Sequence, residues 1–268
     1  MERSSCRSLA LAIALTVGNF AFSQVSITAT GTYSQDFNSL LASGSATWVD
    51  NSTLANWYAQ RTAAGSFNLS ASAGTSTGGL YSFGTGTNSD RAFGTVGSAT
   101  PGSFAYGVVF QNNSGSTVTL GALSYVGEQW RNSAAAAQSV TVWYQISGTS
   151  ITNFSAGNDS GWTSLSALGF TSPITGGTAG NLDGNLSANR TSLSDNLNSI
   201  TLSSGQYLAI RFGDIDHTGS DHALAIDDFS LSYSVAAIPE PSTCAAIIGV
   251  VALAGVAIHR RRKLRAAA

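Results

Sequence analysis

The sequence predicts an all-β fold, an antiparallel β-sandwich over residues 24–236, flanked by an N-terminal signal helix and a C-terminal transmembrane helix. Three observations predict it. Apolar or β-branched residues alternate with polar ones at a period of two, the pattern of a strand with one buried face. Gly, Asn and Ser, the residues that turn a chain, separate these runs. Helical periodicity is nearly absent between the ends.

The N-terminus reads as an export signal, 1–23. Arg3 and Arg7 precede the apolar stretch Leu9–Val17, and the small-residue pattern Ala21-Phe22-Ser23 follows, so the mature chain is expected to begin at Gln24. Strands are expected at Val25–Thr30, Phe104–Phe110, Ser116–Leu120, Ser139–Ile146, Tyr207–Phe212, Ala223–Ile226 and Phe229–Tyr233. Asn132–Gln138, which contains four consecutive alanines, lies between two strand patterns and is read as a loop. No period of solenoid or propeller length repeats.

Composition narrows function. Between residues 24 and 236 there are five arginines, no lysine and twelve acids, a formal charge of −7. A chain without a basic patch cannot neutralise phosphates, so nucleic acid is excluded as a partner. Both cysteines, Cys6 and Cys244, stand in the end segments, which leaves the exported part without disulfide or thiol chemistry.

At the C-terminus, Ile238-Pro239-Glu240-Pro241-Ser242 is followed by an uncharged stretch, Cys244–Ile258, and then by Arg260, Arg261, Arg262 and Lys263. A membrane helix is expected at about 243–259, with the basic residues 260–265 as its cytoplasmic stop. The order Pro-Glu-Pro, apolar helix, basic cluster resembles the PEP-CTERM sorting signal of Gram-negative bacteria, covering 237–265. The resemblance implies recognition of Pro239, Glu240 and Pro241 by an exosortase, a membrane transpeptidase, and delivery to the cell envelope. Two prolines hold Glu240 extended, as a protease-like cleft requires.

The segment between the ends is also similar to a domain of other PEP-CTERM proteins, through Gln35-Asp36-Phe37-Asn38, Gly127-Glu128-Gln129-Trp130-Arg131 and Leu224–Ser230. Its closing strand resembles the last strand of jelly-roll sandwiches such as carbohydrate-binding modules, which implies a jelly-roll-like fold and leaves function open.

Candidate chemistry is sparse. Asp214, Asp216, Asp221, Asp227 and Asp228 form the densest set of carboxylates, and hard cations take several oxygens, so the set reads either as a structural calcium site or as a solvated acidic loop. His217 and His222 lack a third soft ligand for zinc. Glu128 beside Trp130 is the one glutamate available to a glycoside hydrolase, and an ion pair with Arg131 is the simpler expectation. Trp57 and Trp162, in turn-rich surroundings, are the candidates for stacking on glycans; Trp143, in a strand, is expected in the core. No catalytic residues are assigned. The expected function is a structural or adhesive surface protein associated with exopolysaccharide, with a carbohydrate-binding module as the alternative and a glycoside hydrolase third.

Overall fold

The computed structural model describes residues 24–86, 88–237 and 241–266. The expected signal segment, and Pro239 and Glu240 of the sorting motif, lie outside the described residues. Along the chain run β1 (Val25–Ile27), β2 (Gly31–Gln35), β3 (Ser45–Thr47), β4 (Trp57–Arg61), β5 (Asn68–Ser72), β6 (Gly79–Phe83), β7 (Ala92–Val96), β8 (Phe104–Asn112) and β9 (Val118–Asn132). There follow β10 (Ser139–Ser147), β11 (Thr163–Ser164), β12 (Phe170–Thr171), β13 (Gly180–Asn181), β14 (Arg190–Asn196), β15 (Thr201–Leu202), β16 (Tyr207–Asp214), β17 (Ala223–Val235) and the helix α1 (Pro241–Ala266).

Two sheets face each other. The first has the order β1-β8-β16-β10-β11, with β4 also on β8 and β12 on β10. The second has the order β13-β9-β17-β7-β6-β5-β3, with β14 and β15 also on β9 and β2 on β17. The pairing is antiparallel, as expected, except for β1 on β8 and β5 on β6, which run parallel. The expected strands are present. Two of them are longer than their alternation suggested, because β9 continues through Trp130 and β17 runs on across a bulge between Asp227 and Ser230. Asn132–Gln138 is a loop, with Ala134 at φ 68°.

Alternation decides the core. Phe93 and Phe229 of the second sheet, with Trp57, Tyr106 and Phe212 of the first, are buried between the layers. Ring centroids lie 5.1 Å apart for Phe93–Tyr106 and 5.6 Å apart for Trp57–Phe229, contacts that cross from one sheet to the other. A smaller cluster lies on the outer side of each sheet. On the first, Phe154 and Trp162 close over Tyr58, Val109 and Ala209. On the second, Trp130 packs with Tyr81, Phe83 and Ala225.

The helix corrects the expected transmembrane span at 243–259. Among the described residues no helix is long and apolar enough to cross a membrane. The physical reason is length: the uncharged stretch Cys244–Ile258 has fifteen residues, and a span needs about 20. The helix also continues through the basic residues expected to follow it, since Arg, Lys, Leu and Ala all favour helix. Its apolar residues from Ile247 to Ile258 are exposed.

Removing the ring at the centre of the seam tests this packing. Phe93→Ala is expected to lower stability by about 3–5 kcal/mol, read as an earlier midpoint in urea unfolding with an unchanged slope.

Candidate functional site

Alternation along β16 turns Phe212 inward and Arg211 outward, onto the outer face of the first sheet. There the segment 148–162 folds across the strands as a flap. Gly107 permits this, because a Cβ at that position would stand 2.8 Å from the Phe154 ring. Arg211, 1 % exposed, rises into the flap and fastens it. Its Nη1 donates to the carbonyls of Phe154 at 3.1 Å and Asn158 at 3.0 Å, and its Nη2 pairs with the Asp159 carboxylate. The guanidinium also lies 4.4 Å from the Trp162 ring and 5.5 Å from the Trp143 ring, a stacking that suits its flat, weakly hydrated cation. Burial pushes its pKa down, and Asp159 holds it up.

Beside the flap opens a cleft of about 280 Å³, lined by Gln138, Ser139, Thr141, Asp159, Arg211 and His217 over a floor that includes Ala105 and Gly213. The Gln138 amide is already committed: its nitrogen donates to Asp221 at 2.9 Å and its oxygen accepts from the His222 N–H at 2.6 Å. Two buried polar atoms of the lining residues have no partner among the described residues, Arg211 Nε and His217 Nδ1. His217 Nδ1 stands 3.7 Å from Asp221 Oδ1, too far for a hydrogen bond. Trp143, partly exposed, adjoins the cleft and donates from Nε1 to Thr141 Oγ1 at 3.0 Å.

The five aspartates of the expected calcium set do not gather. Asp214 belongs to the first sheet, whereas Asp227 and Asp228 belong to the second. Asp214 is buried at the end of the core, where it accepts the Thr95 hydroxyl at 2.6 Å. Asp221 is tied to Gln138 and to the His217 N–H, and Asp216 stays in the loop between the sheets. Among the described residues no group of three or more His, Cys, Asp or Glu is placed to hold a metal ion.

The expected Glu128–Arg131 ion pair is also absent. Residues three apart on a strand point to opposite faces; Glu128 instead shares the outer face with Trp130, whose Nε1 donates to it at 3.0 Å. Glu128 is 1 % exposed, with Oε1 unpaired. Both glycan candidates are likewise corrected. Trp57 is fully buried in the core with its Nε1 donating to Tyr33, and Trp162, 8 % exposed, is turned from the flap down onto the sheet. Each follows a turn but points inward, because the next strand or loop closes on it. Trp143, expected in the core, is the accessible one. Arg211 was missed. Its only sequence signal is an arginine inside an apolar strand, Tyr207–Phe212, where an unpaired charge would be too costly.

Residues 237–263 match the PEP-CTERM protein-sorting motif, the signal of exported proteins sorted to the cell envelope. No curated protein matches the chain. Among solved structures it is similar to the K3 cleaved adhesin domain of Lys-gingipain from Porphyromonas gingivalis, at 17 % identity over 71 % of this chain and 99 % of that one, TM-score 0.36. It is also similar to the CBM22-1 xylan-binding domain from Paenibacillus barcinonensis Xyn10C, at 11 % identity over 79 % of this chain and 99 % of that one, TM-score 0.30. A third, the glycoside hydrolase domain of Endo-D from Streptococcus pneumoniae, is 13 % identical over 78 % of this chain but only 28 % of that one, TM-score 0.35.

Three buried carboxyls give the chain a distinctive pH response. Burial pushes Asp214 up to about 8 and Glu128 up to about 7. Asp227 rises to about 8 through burial and then through the neighbouring Glu128. Each binds its proton more tightly folded than unfolded, so its stabilisation is complete below the ordinary carboxylate pKa of about 4 and is lost as pH rises through 7 to 8. Thermal unfolding is expected at a higher temperature at pH 5 than at pH 9, and Asp227→Asn is expected to flatten that dependence. A midpoint that rises with pH over this range contradicts the assignment.

Proposed function

We propose that this chain is an exported cell-envelope protein, processed at its C-terminal motif by an exosortase-type transpeptidase, whose sandwich adheres to polysaccharide without catalysis. The observation that carries this reading is the cleft beside the flap, whose polar lining includes the Asp159 carboxylate and His217. Ser139 and Thr141 add hydroxyls at the rim, and the partly exposed Trp143 ring beside Thr141 offers a face for a sugar ring.

The size agrees, since about 280 Å³ holds a short stretch of a chain rather than an extended substrate. Charge agrees as well: a domain with five arginines and twelve acids repels polyanions and favours neutral glycans. The hydrolase alternative loses its support, because the glutamate it needs lies under Trp130 and out of contact with solvent.

Two measurements test the two halves of the proposal. Intact mass of the envelope-associated protein from its native host is expected to place the C-terminus near Pro239–Ser242; a mass running through Ala268 contradicts processing. Retention of the full-length chain on insoluble xylan is expected to fall at least tenfold in Thr141→Phe, which fills the cleft from an exposed position, with the melting temperature unchanged. Equal retention by both proteins contradicts the cleft.

A further inference from the structure

The register of the second sheet aligns four serines on its outer face. Ser34 of β2 stands opposite Ser230 of β17, Ser230 opposite Ser124 of β9, and Ser124 opposite Ser194 of β14. The row therefore crosses four adjacent strands, about 14 Å at roughly 4.8 Å per interstrand step. None of these four hydroxyls is hydrogen-bonded among the described residues, and Ser34 and Ser194 at its two ends are exposed. One step along the strands, Thr32 faces Ser232, and Asn196 faces Ala122. One step the other way lies the bulge, where Asp228 at φ 49° turns its carboxylate outward. Two shallow clefts meet at that residue. One, of about 300 Å³, is lined by Ser34, Asp36 and Ser230; the other, of about 280 Å³, by Ser124, Val126, Ser192 and Ser194.

No described residue covers this part of the sandwich. The first sheet carries the flap on its outer face, and the far end of the second sheet carries the Trp130 cluster. Here the sheet instead presents hydroxyls, with charge confined to the rim formed by Asp36, Asp228 and Arg190. We infer that this hydroxyl ladder is a second adhesive surface, fitted to one extended, neutral polysaccharide chain lying across the strands. The class of ligand rests on the preceding proposal, but the surface does not depend on the cleft, which lies on the other sheet.

Chemistry selects this occupant. A stable interface between two copies needs an apolar core, and Val126 and Ala122 alone supply none. An anionic chain would lie against Asp36 and Asp228. A neutral chain of pyranose rings both donates and accepts along its length, as the serine hydroxyls do, and the interstrand step is close to the length of one such ring along a chain. Sites on opposite sheets would also engage two strands of polymer at once, so that the protein cross-links a matrix and gains avidity without further contacts.

The test uses the full-length chain with amorphous cellulose as the neutral probe and carboxymethylcellulose as the acidic one, in a Thr141→Phe background that blocks the cleft. The blocked chain is expected to remain bound to cellulose and to bind the carboxymethylated polymer at least fivefold more weakly. The pair Ser34→Glu and Ser194→Glu, at exposed ends of the row, is expected to reduce cellulose retention at least tenfold. The pair Ser34→Thr and Ser194→Thr, which keeps the hydroxyls, is expected to preserve it. If Thr141→Phe alone abolishes binding, the ladder is idle and the proposal fails while the cleft stands. If the unblocked chain binds neither polymer, both proposals fail. Sedimentation showing a dimer that the glutamate pair dissolves also overturns the ladder as a polysaccharide surface and assigns it to a second copy.

Discussion

The two sheets are held at their spacing by a seam of interlocking rings, and every outward feature of the molecule is placed by it. Phe93 lies against Phe37, Trp48, Trp57 and Tyr106, Tyr106 against Phe212, and Phe212 in turn against Tyr125 and Phe229. Residues 24–236 contain no cysteine to cross-link the sheets. Ring packing adds to the burial of large apolar area and favours edge and offset geometries that fix the angle between layers. Because side chains alternate, each ring committed inward commits its strand neighbour outward. Phe212 in the core puts Arg211 under the flap, and Phe229 and Leu231 in the core put Ser230 on the open face.

Arg211 repeats the same logic one layer out. A guanidinium buried on a sheet is tolerable only when most of its donors are taken; the flap supplies two carbonyls, a carboxylate and the Trp162 ring, and β10 supplies the Trp143 ring. The cation thereby orders a segment of fifteen residues, 148–162, that contains no strand of its own. Its Nε is left without a partner among the described residues.

The buried acids add a second constraint. Asp214, Glu128 and Asp227 sit where their charged forms are disfavoured, with one hydrogen bond each from Thr95, Trp130 and the Asp228 backbone. Protonated, they are ordinary polar groups in a packed interior. Ionised, Glu128 and Asp227 repel each other across neighbouring strands.

Sequence patterning alone determined the fold class and the sorting tail. Period-two alternation is a local property of each strand, and Pro239-Glu240-Pro241 with its basic end is a linear motif, so both are legible without neighbours. The loop at Asn132–Gln138 was legible for the same reason. Tertiary structure decided what alternation leaves open, namely which face of each strand is covered. Trp57 and Trp143 exchanged their expected places because burial depends on whether a second sheet or a flap lies above a residue, which no local pattern records. The aspartates divided between two sheets because residues close in sequence, from Asp214 to Asp228, cross from β16 to β17 and so from one layer to the other. The serine row is the clearest case. Its four members are scattered from Ser34 to Ser230, and only strand register, set over distances of up to 196 residues, brings them into line.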